Sequence, residues 1–352
     1  VADKIRELRT ELAKIIKGKS EITDKIIMAV LAEGHVLLED VPGVGKTTTA
    51  LALSRLMGME FQRIQFTPDV VPSDVTGFTM YDKESNSFIY RPGSVMCNLL
   101  LADEINRTSS KTQSALLEVM EEGMVTVDGE SHPVPKPFVV IATENPVGSS
   151  GTQMLPESQL DRFMISTTMG YPDHDSLVDI LRDRQEVNPL QNAKAVLNSE
   201  EILELQAQVR KVYVSDEVLS YIADLAEATR KHELIMLGLS PRGTLALCRM
   251  AKAAAYLAGR DYMVPEDVVK NRFDRLLKLV QSIATTQCSR DTGKTLEVLV
   301  EEVNEKDPSM VSGRLSNNTV VHFKGDSSLI GTICKVKMIE SKGFYYLGEL
   351  VE

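Results

Sequence analysis

The segment Asp40-Val-Pro-Gly-Val-Gly-Lys-Thr47 constrains the fold more than any other stretch of the chain. It follows an apolar run, His35-Val-Leu-Leu-Glu39, and opens a helical pattern from Lys46 to Met57. A glycine-rich turn between a buried strand and a helix is the setting of a phosphate loop. Its glycines let backbone N–H groups turn inward toward phosphate oxygens, and the helix N-terminus adds positive dipole. On this reading Gly43, Val44, Gly45, Lys46, Thr47 and Thr48 surround the phosphates of ATP. Lys46 reaches the β- and γ-phosphates, and Thr47 ligates Mg²⁺. Asp40 stands where the pattern GxxxxGK[ST] has its first glycine, a position that shapes entry to the loop.

Further apolar runs recur after the loop: Arg63-Ile-Gln-Phe66, Asn98-Leu-Leu-Leu-Ala102, Phe138-Val-Val-Ile-Ala142 and Met164-Ile-Ser-Thr-Thr168. Each reads as a buried strand, with a helix from Lys111 to Glu122 among them. Strands apolar on both faces and separated by helices indicate an α/β fold with a parallel sheet covered on both sides. Phe78–Tyr90 and Met124–Val134 alternate around turn residues, the second around Asp128-Gly129, and read as projecting ribbons.

Asp103 and Glu104 close the run Asn98–Ala102. Two carboxylates after an apolar strand are costly to desolvate unless they hold a cation or polarise a water. Asp103 is accordingly assigned to Mg²⁺ and Glu104 to the attacking water as general base. Asn145, at the end of the next apolar strand, carries an amide able to orient that water.

From about Asp173 to Val268 apolar residues recur at helix spacing, as in Ile202, Leu205, Val209 and Leu219, Ile222, Leu225. A further amphipathic pattern covers Val269 to Ile283. Beyond Thr285 the chain becomes β-branched and aromatic-rich over Thr295–Val303, Arg314–Phe323, Ile330–Ile339 and Phe344–Val351, the pattern of a small all-β barrel. The expected domains are a P-loop core over 1–172, a helical lid over 173–268, a linker helix over 269–287 and a barrel over 288–352.

Across its 352 residues the chain carries a formal charge of -11, so as a whole it is not drawn to phosphate backbones. Its four cysteines form no CxxC pair, which argues against zinc, an iron–sulfur cluster or a disulfide framework. No run approaches the roughly 18 apolar residues of a membrane span. There is no signal-peptide pattern, and a cytoplasmic location is expected.

Leu38–Thr47, Gln65-Phe-Thr-Pro-Asp69, Pro72–Gly77, Leu101-Ala-Asp-Glu-Ile-Asn-Arg107, Lys111–Glu118 and Leu155–Phe163 together resemble the MoxR family of AAA+ ATPases, over about 4–268. The resemblance implies a ring of identical subunits, six by family habit, that hydrolyses ATP to remodel a client protein. It also implies a partner with a von Willebrand A-type domain. By the same resemblance Asn145 looks like sensor 1, Arg162 like an arginine finger and Arg242 like sensor 2 on the lid.

The tail resembles another family. Arg272–Leu279, Gly293–Val300, Lys306-Asp-Pro308, Phe323-Lys-Gly-Asp326 and Leu347-Gly-Glu-Leu350 are similar to the TRAM domain of tRNA methylthiotransferases and the helix before it. That likeness implies RNA binding, while seven Lys or Arg against ten Asp or Glu from Asp291 onward leave the tail net negative. No CxxxCxxC radical-SAM motif is present. Two further functions follow as alternatives: an RNA-binding protein with an ATPase switch, and a nucleotide-binding scaffold without turnover.

Overall fold

The computed structural model describes residues 2–40, 43–145, 155–183, 189–232, 235, 237–269, 292–304, 309–315, 319–341 and 345–351. The helix expected over 269–287 lies outside them from Lys270 onward. The chain divides into two units, one over 1–232 and 236–271, the other over 233–235 and 272–352.

The first unit opens with two helices, α1 (Ala2–Ile15) and α2 (Ser20–Leu31). There follow β1 (Val36–Glu39), α3 (Lys46–Leu56), β2 (Phe61–Gln65) and a short α4 (Pro72–Thr76). The ribbon β3 (Gly77–Asp82) and β4 (Ser87–Pro92) precedes β5 (Leu99–Asp103) and α5 (Ser110–Glu122). A second ribbon, β6 (Met124–Val127) and β7 (Glu130–Pro133), leads to β8 (Val139–Glu144), α6 (Glu157–Leu160) and β9 (Ile165–Thr167). Strands pair in the order β2-β5-β8-β1-β9, all parallel, with Leu101 opposite Ile141 and Leu37 opposite Ala142.

Alternation along the central strands explains why both faces are apolar. Leu99 and Leu101 of β5 and Val139 and Ile141 of β8 enter the core shared with α1, α2 and α3. Leu100, Ala102, Val140 and Ala142 enter a second core under α5. Successive side chains of a strand point to opposite faces, so a wholly apolar run fits only a strand covered twice. Each fully buried leucine contributes about 2 kcal/mol. β2 differs from the expectation of a buried strand. It lies at the sheet edge, where only Ile64 of its residues is buried and Arg63 and Gln65 are exposed.

The helical region comprises α7 (His174–Asp183), α8 (Ser199–Arg210), α9 (Asp216–Lys231) and α10 (Pro241–Leu257). Asn198 caps α8 with Glu201 in a reciprocal capping box. Ile202, Leu205 and Val209 of α8, with Met250 and Ala253 of α10, join the core of α1–α3. Gln206 donates to the Val30 carbonyl at 2.8 Å. α9 and α10 close a smaller core with Val218, Ile222, Leu225, Leu247 and Ala251.

The second unit is a closed barrel, β10 (Thr295–Val303), β11 (Met310–Arg314), β12 (Val320–Lys324), β13 (Ile333–Ser341) and β14 (Tyr345–Leu350), ordered β10-β11-β12-β14-β13. The run Arg314–Phe323, read as one segment, is divided between β11 and β12, which pair antiparallel with Arg314 opposite Val320. Val298, Val311, Val321, Phe323, Val336 and Met338 fill the interior. Gly313 is required there, because a Cβ would lie 2.5 Å from the Leu299 carbonyl oxygen.

Candidate functional site

The carboxyl ends of the parallel strands gather the residues singled out by sequence. Asp40 extends β1, donating its N–H to the Glu144 carbonyl at 3.0 Å. Gly43 and Gly45 adopt φ of +89° and +97°, which glycine tolerates and L side chains rarely do, and among the described residues other than chain neighbours no atom lies within 4 Å of where a Cβ would stand. Gly45 caps α3 without a side-chain bond, so the first N–H groups of α3 lack an intrahelical acceptor. Thr47 and Thr48 occupy the first turn of α3.

Lys46 is buried, and its ammonium donates to the Asp40 carbonyl at 2.8 Å. Burial pulls its pKa below the usual lysine range, while the carboxylates of Asp103, Asp40 and Glu104 act in the opposite direction. The phosphate-loop lysine and both carboxylates thus share one electrostatic neighbourhood. Asp103, the last residue of β5, accepts from Thr143 Oγ1 at 2.6 Å through Oδ1 and from Arg63 Nη2 at 2.6 Å through Oδ2. Glu104 has the left-handed φ of 57°, uncommon for a residue with a Cβ, and its N–H donates to Thr143 Oγ1 at 2.8 Å. Its Oε2 accepts from Gln65 Nε2 at 3.0 Å and Arg107 Nη1 at 2.7 Å. Asn145 follows β8 directly, and its carbonyl accepts from Asn106 Nδ2 at 3.3 Å.

Asp40 explains the departure from the glycine pattern. Its buried carboxylate accepts the N–H groups of Met169 and Gly170, tying loop entry to the chain just beyond β9. Beside the loop lies a cavity of mixed lining, apolar at Ile16, Val44, Met169 and Ile180 and cationic at Lys14, Lys17 and Lys19. Its place next to the phosphate loop suits the base and sugar of a nucleotide.

The donor set also fits a small divalent cation. A carboxylate at Asp103 and a hydroxyl at Thr47 are hard oxygen ligands, and Mg²⁺ takes few protein ligands when phosphates and water complete its shell. Among the described residues no group of three or more His, Cys, Asp or Glu could hold a metal by itself.

The two arginines lie elsewhere. Arg162 Nε donates to Glu121 Oε2 at 3.0 Å, and Arg242 Nη2 donates to Glu121 Oε1. Glu121 belongs to the last turn of α5, where the Met120 carbonyl meets His35 Nε2 at 2.9 Å, just before β1. Met164, close to Arg162, donates its N–H to the His35 carbonyl at 2.9 Å. Both arginines therefore sit at the amino ends of the strands, across the sheet from the chain's own Lys46. Sequence reading named Arg162 and Arg242 and missed Glu121, Arg63, Gln65 and Thr143. The polar residues on either side of Ile64 were the available signal for the β2 pair.

The family model described as "ATPase family associated with various cellular activities (AAA)" matches 35–165, an AAA lid domain matches 227–271, and a TRAM domain matches 289–351. The chain is 40% identical over 269 residues to Chaperone MoxR1 of Mycobacterium tuberculosis, covering 74% of this chain and 71% of that protein. It superposes on the crystal structure of a "putative ATPase" from Cytophaga hutchinsonii with a TM-score of 0.72 and 37% identity, covering 78% of this chain and 86% of that one. Its tail is 52% identical over 95 residues to tRNA-2-methylthio-N(6)-dimethylallyladenosine synthase of Lachnoclostridium phytofermentans, 27% of this chain and only 21% of the synthase. No helix among the described residues is long and apolar enough to cross a membrane.

Proposed function

The chain belongs to the MoxR family of AAA ATPases, and on that premise we propose that it hydrolyses ATP with a site completed by a neighbouring subunit of a homo-oligomeric ring. The observation that carries this reading is that Asp103 and Glu104, both bonded to Thr143 Oγ1 at the carboxyl end of β8, stand on one side of that strand while Lys46, bonded to the Asp40 carbonyl at the carboxyl end of β1, stands on the other. The N–H groups of the Gly43–Gly45 turn and the Lys46 ammonium bind the phosphates, Lys46 exchanging the Asp40 carbonyl for phosphate oxygen. Thr47 and Asp103 would hold Mg²⁺, which when bound would offset phosphate charge. Glu104 accepts the proton of the attacking water, so that ATP and water give ADP and phosphate, and Asn145 orients that water.

The pairing of Arg162 and Arg242 with Glu121, beside the amino end of β1 rather than the carboxyl end that carries Lys46, supports a role for both at the next subunit's γ-phosphate. There their charge offsets the negative charge that the transition state spreads over the phosphoryl oxygens. The work of the ring is remodelling of a client protein, with a partner bearing a von Willebrand A-type domain. This part of the reading rests on family likeness.

Glu104→Gln keeps the shape of the site and removes its base. Retained binding of a fluorescent ATP analogue with turnover reduced to background is the expected result. Undiminished hydrolysis in that variant removes Glu104 from the mechanism.

A second reading, RNA binding by the barrel, rests on the TRAM match. Lys335 and Lys337 point outward from β13, but Glu297 lies opposite Lys335 and Glu349 opposite Lys337 on neighbouring strands. A tRNA mobility shift that is salt-sensitive and lost on deleting 291–352 supports it; no shift at low salt removes it.

A further inference from the structure

Arg162 and Arg242 come from distant parts of the chain, the turn before β9 and the first turn of α10, yet they end on the two oxygens of one carboxylate, that of Glu121. A second tie lies directly behind them. Ser240 Oγ donates to the Asp161 carboxylate, 2.7 and 2.8 Å from its two oxygens, and accepts the Gly243 N–H at 2.9 Å as the cap of α10. Residues within two positions of each arginine are thus joined to one another as the guanidinium groups are. Arg162 Nη1 also donates to the Ser158 carbonyl at 3.3 Å.

We propose that Glu121 is a positioning residue: its carboxylate holds Arg162 and Arg242 together as one two-guanidinium arm aimed at the nucleotide of the adjacent subunit. This rests on the reading that both arginines act on a neighbour's site. A guanidinium carries five N–H donors, so one bond to Glu121 orients it without exhausting it. Among the described residues no contact uses Arg162 Nη2, or Nε and Nη1 of Arg242, and these remain for phosphate oxygens.

Two like charges side by side repel, and a carboxylate between them offsets that repulsion. The side chains of Glu121, Arg162 and Arg242 are 41%, 29% and 46% exposed, so the pairs add little to stability. Their effect is therefore on geometry. Glutamine at 121 keeps one acceptor oxygen and replaces the other with a donor, so it can no longer give each guanidinium an oxygen of its own or offset their charge.

The test uses the full-length chain. Glu121→Gln is expected to melt at the wild-type temperature and keep the wild-type KM for ATP, because its own phosphate loop is intact. Its kcat should fall between about 10- and 100-fold, the effect of misaligning a transition-state group. Mixed with Glu104→Gln subunits, which present intact arms to its intact sites, it should regain turnover; mixed with Arg162→Ala it should not.

Full kcat in Glu121→Gln overturns the proposal, as does a loss expressed in KM, or no recovery alongside Glu104→Gln. A mixture of Arg162→Ala with Glu104→Gln separates the two levels of the argument. No recovery there sinks the assignment of the arginines to a neighbour, and with it the role of Glu121. Recovery there without recovery of Glu121→Gln sinks the role of Glu121 alone.

Discussion

Thr143 Oγ1 donates to Asp103 Oδ1 at 2.6 Å, and the same oxygen accepts the Glu104 N–H at 2.8 Å. One buried hydroxyl on β8 therefore fixes the last residue of β5 and the left-handed turn that carries the proposed base. Thr143→Val preserves volume and removes both bonds. A buried group left without a partner costs about 1–3 kcal/mol, and a displaced Glu104 should lower kcat roughly tenfold. Urea unfolding with steady-state ATPase checks both, and a variant equal to wild type in each contradicts the role assigned to Thr143.

Asp40 makes a second prediction, on loop entry. Restoring the pattern's glycine with Asp40→Gly strips the carboxylate from the N–H groups of Met169 and Gly170. The expected loss is about 2–3 kcal/mol for a charged acceptor. Weaker nucleotide binding should accompany it, since Met169 also lines the cavity beside the loop. Equal urea midpoints for Asp40→Gly and wild type would show that the carboxylate does not hold the loop.

His35 sets a limit on acid stability. It is buried between the Met120 carbonyl on Nε2 and the Val140 N–H on Nδ1. Since Val140 must donate, Nδ1 is the acceptor and Nε2 carries the proton. Burial lowers its pKa from 6.5 to about 4. The unfolded chain therefore takes up the proton first, and stability falls as pH drops from 6.5 toward 4, by up to about 3 kcal/mol. An imidazole NMR titration should find His35 neutral in the folded protein at pH 5.5. Half-protonation near 6.5 contradicts this account.

The phosphate loop, the central strands and the carboxylate pair were legible because each is a local pattern. Leu99 to Ala102 are apolar throughout, and Lys46 lies at a fixed offset from Gly43 and Gly45. What escaped depends on partners far along the chain. Arg63 meets Asp103 forty residues on, and Glu121 meets Arg242 across 121 residues, so no window of sequence contains either pair. The exposure of β2 follows from its edge position, which a strand's own residues do not declare. The division of Arg314–Phe323 into β11 and β12 was obscured because Thr319, Val320 and Val321 directly follow Asn317-Asn318 and carry the β-branched run on. Helices α1 and α2 went unassigned for want of a motif, although Ile5, Leu8 and Leu12, and then Ile26, Ile27 and Val30, recur at helical spacing and are buried.

The central claim is that hydrolysis needs Arg162 and Arg242 from another copy of the chain. ATPase activity per subunit, measured against protein concentration, tests it most directly. Activity should rise steeply with concentration and then level off as rings assemble, with Arg162→Ala low and flat throughout. Constant activity per subunit, from dilutions at which sedimentation finds only monomer, would contradict it.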